Sequence, residues 1–228
     1  MSYKVGMVSL GCPKNQINAE IMLSRLQNSG FEITSQAEEA DIVIINTCGF
    51  IEDAKKEAID TIFDYVRIKN NGQIKSIVVT GCLAERYKEE ILKEIPEVNA
   101  VVSIGADADI ENICRRSMSE AHIMADGEKC ASLLNGDRIL TTPGYFAYLK
   151  VSDGCNNRCA YCAIPLIRGN QRSRTIEDIV REAGKLAVSG VKELIVVAQD
   201  TTRYGSDLYG KDMLPELLEQ LCGIDGIE

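Results

Sequence analysis

Residues 41–49 read DIVIINTCG and decide the fold, because an apolar run of strand length ends there at a cysteine beside a glycine. Further apolar runs lie at Lys4–Leu10, Ser76–Thr80 and Ala100–Ile104. Longer stretches with apolar residues at helical spacing separate these runs. Strands that alternate with helices indicate βαβ units, so we predict an α/β fold with a parallel sheet covered by helices.

The pattern occurs in two series along the chain. We predict an amino-terminal domain over 1–117, a linker with at most a small hairpin over 118–144, and a second domain over 145–228. The second series has predicted strands at 145–152 and 193–199 and predicted helices at 176–189 and 213–222. Two βα units cannot close a barrel, so we expect only the first part of a (β/α) barrel there.

The composition is that of an ordinary soluble globular protein. Of 228 residues, 45% are hydrophobic and 26% are charged, which excludes a disordered chain. The formal net charge of -9 does not favour a polyanion-binding surface and would suit a basic protein partner. We expect a cytoplasmic protein without a membrane segment, because no apolar stretch is long enough to span a bilayer and the first residues lack a secretory signal.

Cysteine is the unusual residue type, with nine copies against a single histidine, His122. A reducing compartment disfavours structural disulfides, so these thiols indicate metal or redox chemistry. The lone histidine nearly excludes catalytic triads and histidine-rich zinc sites.

Three cysteines, the first trio, follow three predicted strands of the first domain: Cys12, Cys48 and Cys82. The carboxyl ends of parallel strands share one edge of a sheet, so the thiols would meet there. Adjacent glycines would let the backbone approach a bulky ligand. The first trio therefore predicts a metal or cluster site that lacks one protein ligand. The alternative is three buried cysteines that act as small hydrophobic side chains.

A second trio, Cys155, Cys159 and Cys162, lies in the loop CNNRCAYC of residues 155–162. Thiolates at this spacing can bind three corners of a four-iron cluster, which normally takes four cysteines. The remaining iron would be open to a substrate or cofactor. A zinc site is the alternative, although zinc usually requires a fourth cysteine or histidine in reach.

The second trio resembles the signature of the radical S-adenosylmethionine (SAM) enzymes, and the first trio resembles the amino-terminal domain of the methylthiotransferases in that superfamily. The matching segments are GCPKN at 11–15, NTCGF at 46–50, TGC at 80–82 and RGNQRSR at 168–174. The segments at 9–15 and 198–205 are most similar to the branch that methylthiolates the β-carbon of an aspartate on a small-subunit ribosomal protein. A sister branch acts on a transfer-RNA adenosine. A third possibility is a fragment that binds iron–sulfur clusters without turnover, because family members continue through the rest of the barrel and a further β-barrel domain.

The resemblance implies two 4Fe-4S clusters and SAM as cofactors. The cluster on the second trio would donate one electron to SAM, whose cleavage would yield a 5′-deoxyadenosyl radical that abstracts the hydrogen. The cluster on the first trio would carry the sulfur, which a second SAM would methylate. A radical route suits an aspartate β-carbon, whose C–H bond is too weakly acidic for a side-chain base, and no acid–base group is assigned as catalytic. The expected partners are the ribosomal protein and an electron donor of the flavodoxin or ferredoxin type, and we expect a monomer.

Five further residues are candidate SAM contacts within this resemblance. Tyr161 would stack on the adenine, or else pack in the core. Gln199 and Asp200 lie at the carboxyl end of a predicted strand, where related enzymes contact the SAM amino group, or else they only lead into a loop. Arg172 and Arg174 would hold the SAM carboxylate or an acidic substrate side chain, or at least one of them would be solvated.

The remaining candidates are structural. Thr175 is expected to cap the following helix. Cys114, Cys130 and Cys222 have no matched spacing and are interpreted as packing residues, and His122 as a linker side chain.

Overall fold

The structure is a computed structural model that describes residues 2–129 and 133–228. The chain forms two compact units. The first comprises Met1–Leu133 and Asp137–Ile139, and the second comprises Leu134–Gly136 and Leu140–Glu228. Within the described part of the chain, every helix is too short or too polar to cross a membrane.

The first unit contains a six-stranded sheet in which all neighbouring strands are parallel. In sheet order the strands are β2 (Glu32–Thr34), β1 (Lys4–Ser9), β3 (Ile42–Thr47), β4 (Ser76–Gly81), β5 (Ala100–Val102) and β6 (Ile123–Ala125). β3 and β4 are buried along their whole length, which explains why their sequences are continuous apolar runs. The predicted parallel α/β fold is confirmed.

Four helices accompany this sheet: α1 (Pro13–Asn28), α2 (Glu52–Asn70), α3 (Cys82–Glu94) and α4 (Ile110–Arg116). Ile62 and Val66 of α2 and Leu83 of α3 belong to one core cluster with Val43 and Val79 of the sheet. Helices α1 and α4 pack against each other. The amphipathic stretches therefore bury their apolar faces on the central strands.

Two edge strands were not predicted. β2 and β6 have only three residues each and lie at opposite edges of the sheet. β6 falls in the segment 118–144, which was predicted as a linker with at most a hairpin. It instead adds a parallel strand beside β5, with Val101 opposite Met124. The prediction of an irregular linker is therefore wrong for these residues.

The second unit begins with a parallel pair, β7 (Phe146–Lys150) and β10 (Glu193–Val197), and has a short antiparallel pair, β8 (Ser152–Asp153) and β9 (Arg172–Ser173). Its helices are α5 (Ile164–Arg168), α6 (Ile176–Val188) and α7 (Leu214–Cys222). The apolar stripe of α6, which includes Ile179 and Ala183, joins the core of this unit with Ala147 of β7. The Oγ1 of Thr175 accepts a hydrogen bond from the Asp178 amide at 3.3 Å, so the predicted helix cap is confirmed.

Candidate functional site

The cysteines of the first trio lie at one edge of the six-stranded sheet. β1, β3 and β4 are neighbours with their carboxyl ends in register. Cys12 lies three residues after β1, and Cys48 and Cys82 directly follow β3 and β4. The strand order therefore brings three segments that are distant in sequence to a common edge.

This edge includes the topological switch point of the sheet, because β1 leads to β2 on one side while β3 leads to β4 on the other. Open α/β sheets bind ligands in the crevice at such a point. Cys12 is the N-cap residue of α1, and Cys82 is the first residue of α3. The amino-terminal ends of two helices therefore favour negative charge at this edge.

The loops that carry the first trio approach each other closely. A Cβ at Gly11, whose φ is +127°, would stand 3.0 Å from the Cβ and 3.6 Å from the Sγ of Cys48. Gly81 has a φ of +94°. A Cβ at Gly49 would stand 2.8 Å from the backbone of Leu83. Only glycine permits these approaches without displacement of the backbone.

Asn15 connects the three loops. Its side chain is buried, and its Nδ2 donates to the carbonyl oxygen of Thr47 at 2.9 Å. Its Oδ1 accepts from the Sγ of Cys82 at 3.8 Å. The Nδ2 of Asn46 donates to the backbone oxygen of Asn15 at 2.7 Å. Asn15 lies in the first turn of α1, directly after the loop that carries Cys12. Its side chain and backbone therefore connect that loop to the ends of β3 and β4.

This arrangement fits a four-iron cluster. Such a cluster binds each thiolate through a different iron, so its ligands share an edge without converging on one atom. Within residues 2–129 and 133–228, no three Cys, His, Asp or Glu side chains are close enough to hold a single metal ion. The two helix ends provide a favourable field for an anionic cluster.

The second trio lies in the loop between β8 and α5. The amide of Cys155 donates to the Gly169 carbonyl at 3.1 Å, and the amide of Cys162 donates to the Cys159 carbonyl at 3.0 Å. Cys159 is exposed and the other two thiols are half-buried. Gly154 has a φ of +77°, and a Cβ there would overlap a neighbouring backbone carbonyl. The loop therefore folds back on itself and leaves its thiols accessible.

A group of buried ion pairs lies where this loop begins and ends. Asp153, which is wholly buried, accepts from the Nη1 of Arg168 at 2.8 Å and lies 4.0 Å from the Nζ of Lys150. Its Oδ1 accepts from the Gly154 amide and from the Nε2 of Gln199, both at 2.9 Å. Burial alone would raise the pKa of Asp153, but the two cations and these hydrogen bonds hold it at about 2. Asp153 therefore stays ionised and links the two ends of the loop.

The segment after β10 contacts the same loop. The Oδ2 of Asp200 accepts from the Nδ2 of Asn157 at 2.8 Å, and its Oδ1 accepts from the Oγ1 of Thr202 at 2.6 Å. Both hydrogen bonds lower the pKa of Asp200, and the bond from Thr202 has the larger effect. The Oε1 of Gln199 is buried and has no hydrogen-bond partner among the described residues. The structure therefore places Gln199 and Asp200 in contact with Asp153 and Asn157, at the base and within the loop of the second trio.

The other predicted SAM contacts differ in exposure. Tyr161 is 89% exposed, so the alternative of core packing is wrong. Arg172 is half-buried in β9. Arg174 is only 4% exposed, with its Nε 2.8 Å from Asp178 and its Nη1 2.5 Å from Glu182. Arg174 is therefore not solvated, and carboxylates of α6 already pair with its guanidinium.

The unmatched cysteines also differ from one another. Cys114 is wholly buried in α4, which confirms packing, and burial raises the pKa of its thiol well above the ordinary value. Cys222 is exposed at the end of α7, so the packing prediction is wrong there. Cys130 lies outside the described residues. His122 is exposed immediately before β6.

Asn15, Asp153 and Arg168 help to build the site, and the sequence analysis gave none of them a role, although Asn15 and Arg168 lie in the segments that match the family. The available signal was position, since Asn15 lies three residues after Cys12 and Asp153 lies two before Cys155. Polar residues so close to clustered cysteines were candidates to support the ligand loops.

Two family models match the chain in the order of its units. Residues 4–103 match "Uncharacterized protein family UPF0004", and residues 149–226 match the radical SAM superfamily. The first match contains the first trio and the second match contains the second trio.

Curated relatives match nearly the whole chain. It is 52% identical over 227 residues to the ribosomal protein uS12 methylthiotransferase RimO of Clostridioides difficile, a match that covers 99% of this chain and 51% of that protein. The RimO of Acetivibrio thermocellus is 51% identical over 236 residues, which covers 100% of this chain and 52% of that protein. The chain therefore spans about half the length of the curated relatives it matches.

Solved structures share the fold. The radical SAM methyltransferase TsrM of Kitasatospora setae, determined with cobalamin and a 4Fe-4S cluster, matches with a TM-score of 0.65 and 12% identity over 96% of this chain and 52% of that chain. The cobalamin-dependent SAM radical enzyme OxsB matches with a TM-score of 0.60 and 13% identity over 97% of this chain and 37% of that chain. At these identities the likeness concerns the fold alone, and it agrees with the predicted fold class.

Proposed function

Because this chain belongs to the radical SAM methylthiotransferase family, we propose that it acts in adding a methylthio group to the β-carbon of an aspartate on ribosomal protein uS12. The observation that carries the proposal is the presence of two cysteine trios at strand ends in two separate α/β units. The names of the relatives, RimO, support the choice of substrate.

Each trio would hold one 4Fe-4S cluster through its three thiolates. When bound, the cluster on the second trio would supply the electron that cleaves SAM, and the cluster on the first trio would supply the transferred sulfur. The protein would hold the two clusters in position. Asn15 holds the loops of the first trio, and the Asp153–Arg168 pair holds the loop of the second.

Side chains beside the second trio would bind SAM. The buried Oε1 of Gln199 and the carboxylate of Asp200 can accept hydrogen bonds from the amino group. The exposed ring of Tyr161 offers a stacking surface for the adenine. Arg172, which is half-buried in β9, would hold the SAM carboxylate.

The proposed partners follow from charge and chemistry. A net charge of -9 suits a basic ribosomal protein and is less suited to transfer RNA. The reductive step requires an electron donor, for which we propose a protein of the flavodoxin or ferredoxin type.

The experiment compares three proteins after anaerobic reconstitution: the wild type and two variants in which one trio is replaced by alanine. Each is incubated with dithionite and SAM, and then with uS12 or with transfer RNA. Wild type should form 5′-deoxyadenosine and add a methylthio mass to uS12. The second-trio variant should lose SAM cleavage, whereas the first-trio variant should retain cleavage and lose methylthiolation.

Modification of transfer RNA instead of uS12 would overturn the proposed substrate. Fully loaded wild type that does not cleave SAM would identify the chain as a binding fragment.

A further inference from the structure

Arg86 lies beside the loop that carries Cys48. Its Nη1 donates to the carbonyl oxygen of Gly49, the residue directly after Cys48, at 2.9 Å. Gly49 in turn lies against the start of α3, because a Cβ there would stand 3.0 Å from the carbonyl carbon of Cys82. Arg86 follows Cys82 by one helical turn and so lies on the same side of α3. Its guanidinium is therefore held at the edge of the sheet that carries the first trio.

The positive charge of Arg86 is not paired within the described part of the chain. Its side chain contacts the Gly49 carbonyl and the ring of Tyr87, whose centre lies 5.1 Å from the guanidinium carbon, and it forms no ion pair with a described residue. The charge of Arg86 reaches Glu52, but that carboxylate bonds to Lys55 at 2.7 Å instead. Arg86 is exposed, so a guanidinium with several N–H donors is open to an external anion.

A carboxylate is the anion that suits this group. The contacts with Gly49 and Tyr87 already restrain a long side chain, which lowers the entropy that binding would cost. A planar guanidinium can pair with a carboxylate through two parallel hydrogen bonds, which a neutral amide cannot match. The proposed reaction acts on a carbon that is bonded to a carboxylate, so this carboxylate must come close to the first trio when the sulfur is transferred.

We propose that Arg86 is a specificity-determining residue that binds the side-chain carboxylate of the substrate aspartate beside the first trio. This inference rests on the proposed function, which names an aspartate as the substrate. It adds that the chain recognises the carboxylate itself. Aspartate and asparagine have β-carbons of the same shape, so the charge on the side chain would distinguish them.

The test measures the dissociation constants of uS12 and of a uS12 variant in which the target aspartate is replaced by asparagine. Both clusters of the full chain are loaded, and SAM and reductant are omitted so that no turnover occurs. The ratio of the two constants isolates recognition of the carboxylate. Wild type should bind uS12 about fivefold more tightly than the asparagine variant, as expected for a well-formed ion pair at an exposed site.

Variants of Arg86 separate recognition from support of the loop. Arg86→Gln loses the charge but can still donate to the Gly49 carbonyl, so the preference should disappear while the first trio keeps its iron. Arg86→Lys keeps the charge and should retain part of the preference. Arg67→Gln is the matched control, because Arg67 is exposed in the last turn of α2 and pairs with Asp64 at 2.7 Å. It should keep the wild-type ratio.

Arginine modification tests the contact without a variant of this chain. Phenylglyoxal followed by peptide mass mapping should modify Arg86 in the free protein. Bound uS12 should slow this modification, and the asparagine variant should slow it less at equal occupancy. Modification of Arg67 should respond equally to the two forms of uS12.

Equal affinity of wild type for the two forms of uS12 would overturn the inference, as would an unchanged preference in Arg86→Gln with its first trio loaded. If Arg86→Gln loses that iron, the arginine modification decides, and equal protection by both forms would refute recognition of the carboxylate. Wild type that binds neither form would overturn the proposed substrate, and this inference with it.

Discussion

Replacing Asn15 with alanine tests whether one buried amide organises the first trio. The change removes the donor to the Thr47 carbonyl at 2.9 Å and the acceptor for the Cys82 thiol at 3.8 Å. An unpaired buried acceptor costs about 1–3 kcal/mol. Alanine recovers roughly 0.5 kcal/mol through its higher helix propensity. We therefore expect the free energy of unfolding of the cluster-free protein to fall by about 1–2 kcal/mol.

Urea unfolding measures this loss, and iron and sulfide analysis after anaerobic reconstitution measures its consequence. The second trio should keep about four irons, while the first trio loads poorly because its loops are no longer joined. Asn28→Ala is the control, because Asn28 is exposed at the end of the same helix. Normal stability together with full loading of both trios in Asn15→Ala would refute the role given to this side chain.

Three further predictions address other parts of the chain. Burial and the hydrogen bond to Glu38 raise the pKa of Tyr65 to about 12. Folding therefore favours the protonated phenol, and its contribution to stability is complete below pH 10 and lost as the pH rises to 12. Urea titrations should show this loss in wild type and not in Tyr65→Phe, and identical pH profiles would contradict it. Gly154→Ala forces a side chain into a φ of +77° and against a backbone carbonyl, so iron analysis should show loss from the second trio alone. Normal loading would show that the loop tolerates the side chain. A thiol reagent followed by peptide mass mapping should label exposed Cys222 in the native protein and leave buried Cys114 unmodified, and early labelling of Cys114 would contradict its burial.

The central strands were predictable because burial on both faces demands continuous apolar sequence. β3 and β4 meet that condition along their whole length. The edge strands β2 and β6 could not be predicted by the same reasoning, since three residues are too few to show a hydrophobic periodicity. β6 pairs with β5 only because the chain returns to the free edge of the sheet, which is a property of the tertiary fold.

The positions of the cysteines were predictable from the rule that parallel strands share a carboxyl edge. The contacts that support them depend on pairings remote in sequence. Gln199 and Asp153 are 46 residues apart, so no local pattern indicates which way that amide points. The burial of Arg174 was missed because Glu182, two helical turns into α6, completes its enclosure only after the helix packs.

The most direct test of the account is the iron and sulfide content of the reconstituted protein, with Mössbauer spectra of the wild type and of the two trio variants. Wild type should hold about eight irons and eight sulfides as two four-iron clusters, and each variant should hold about half. A single bound zinc without sulfide, or loss of all iron when either trio alone is replaced, would contradict the claim that the two trios are independent cluster sites.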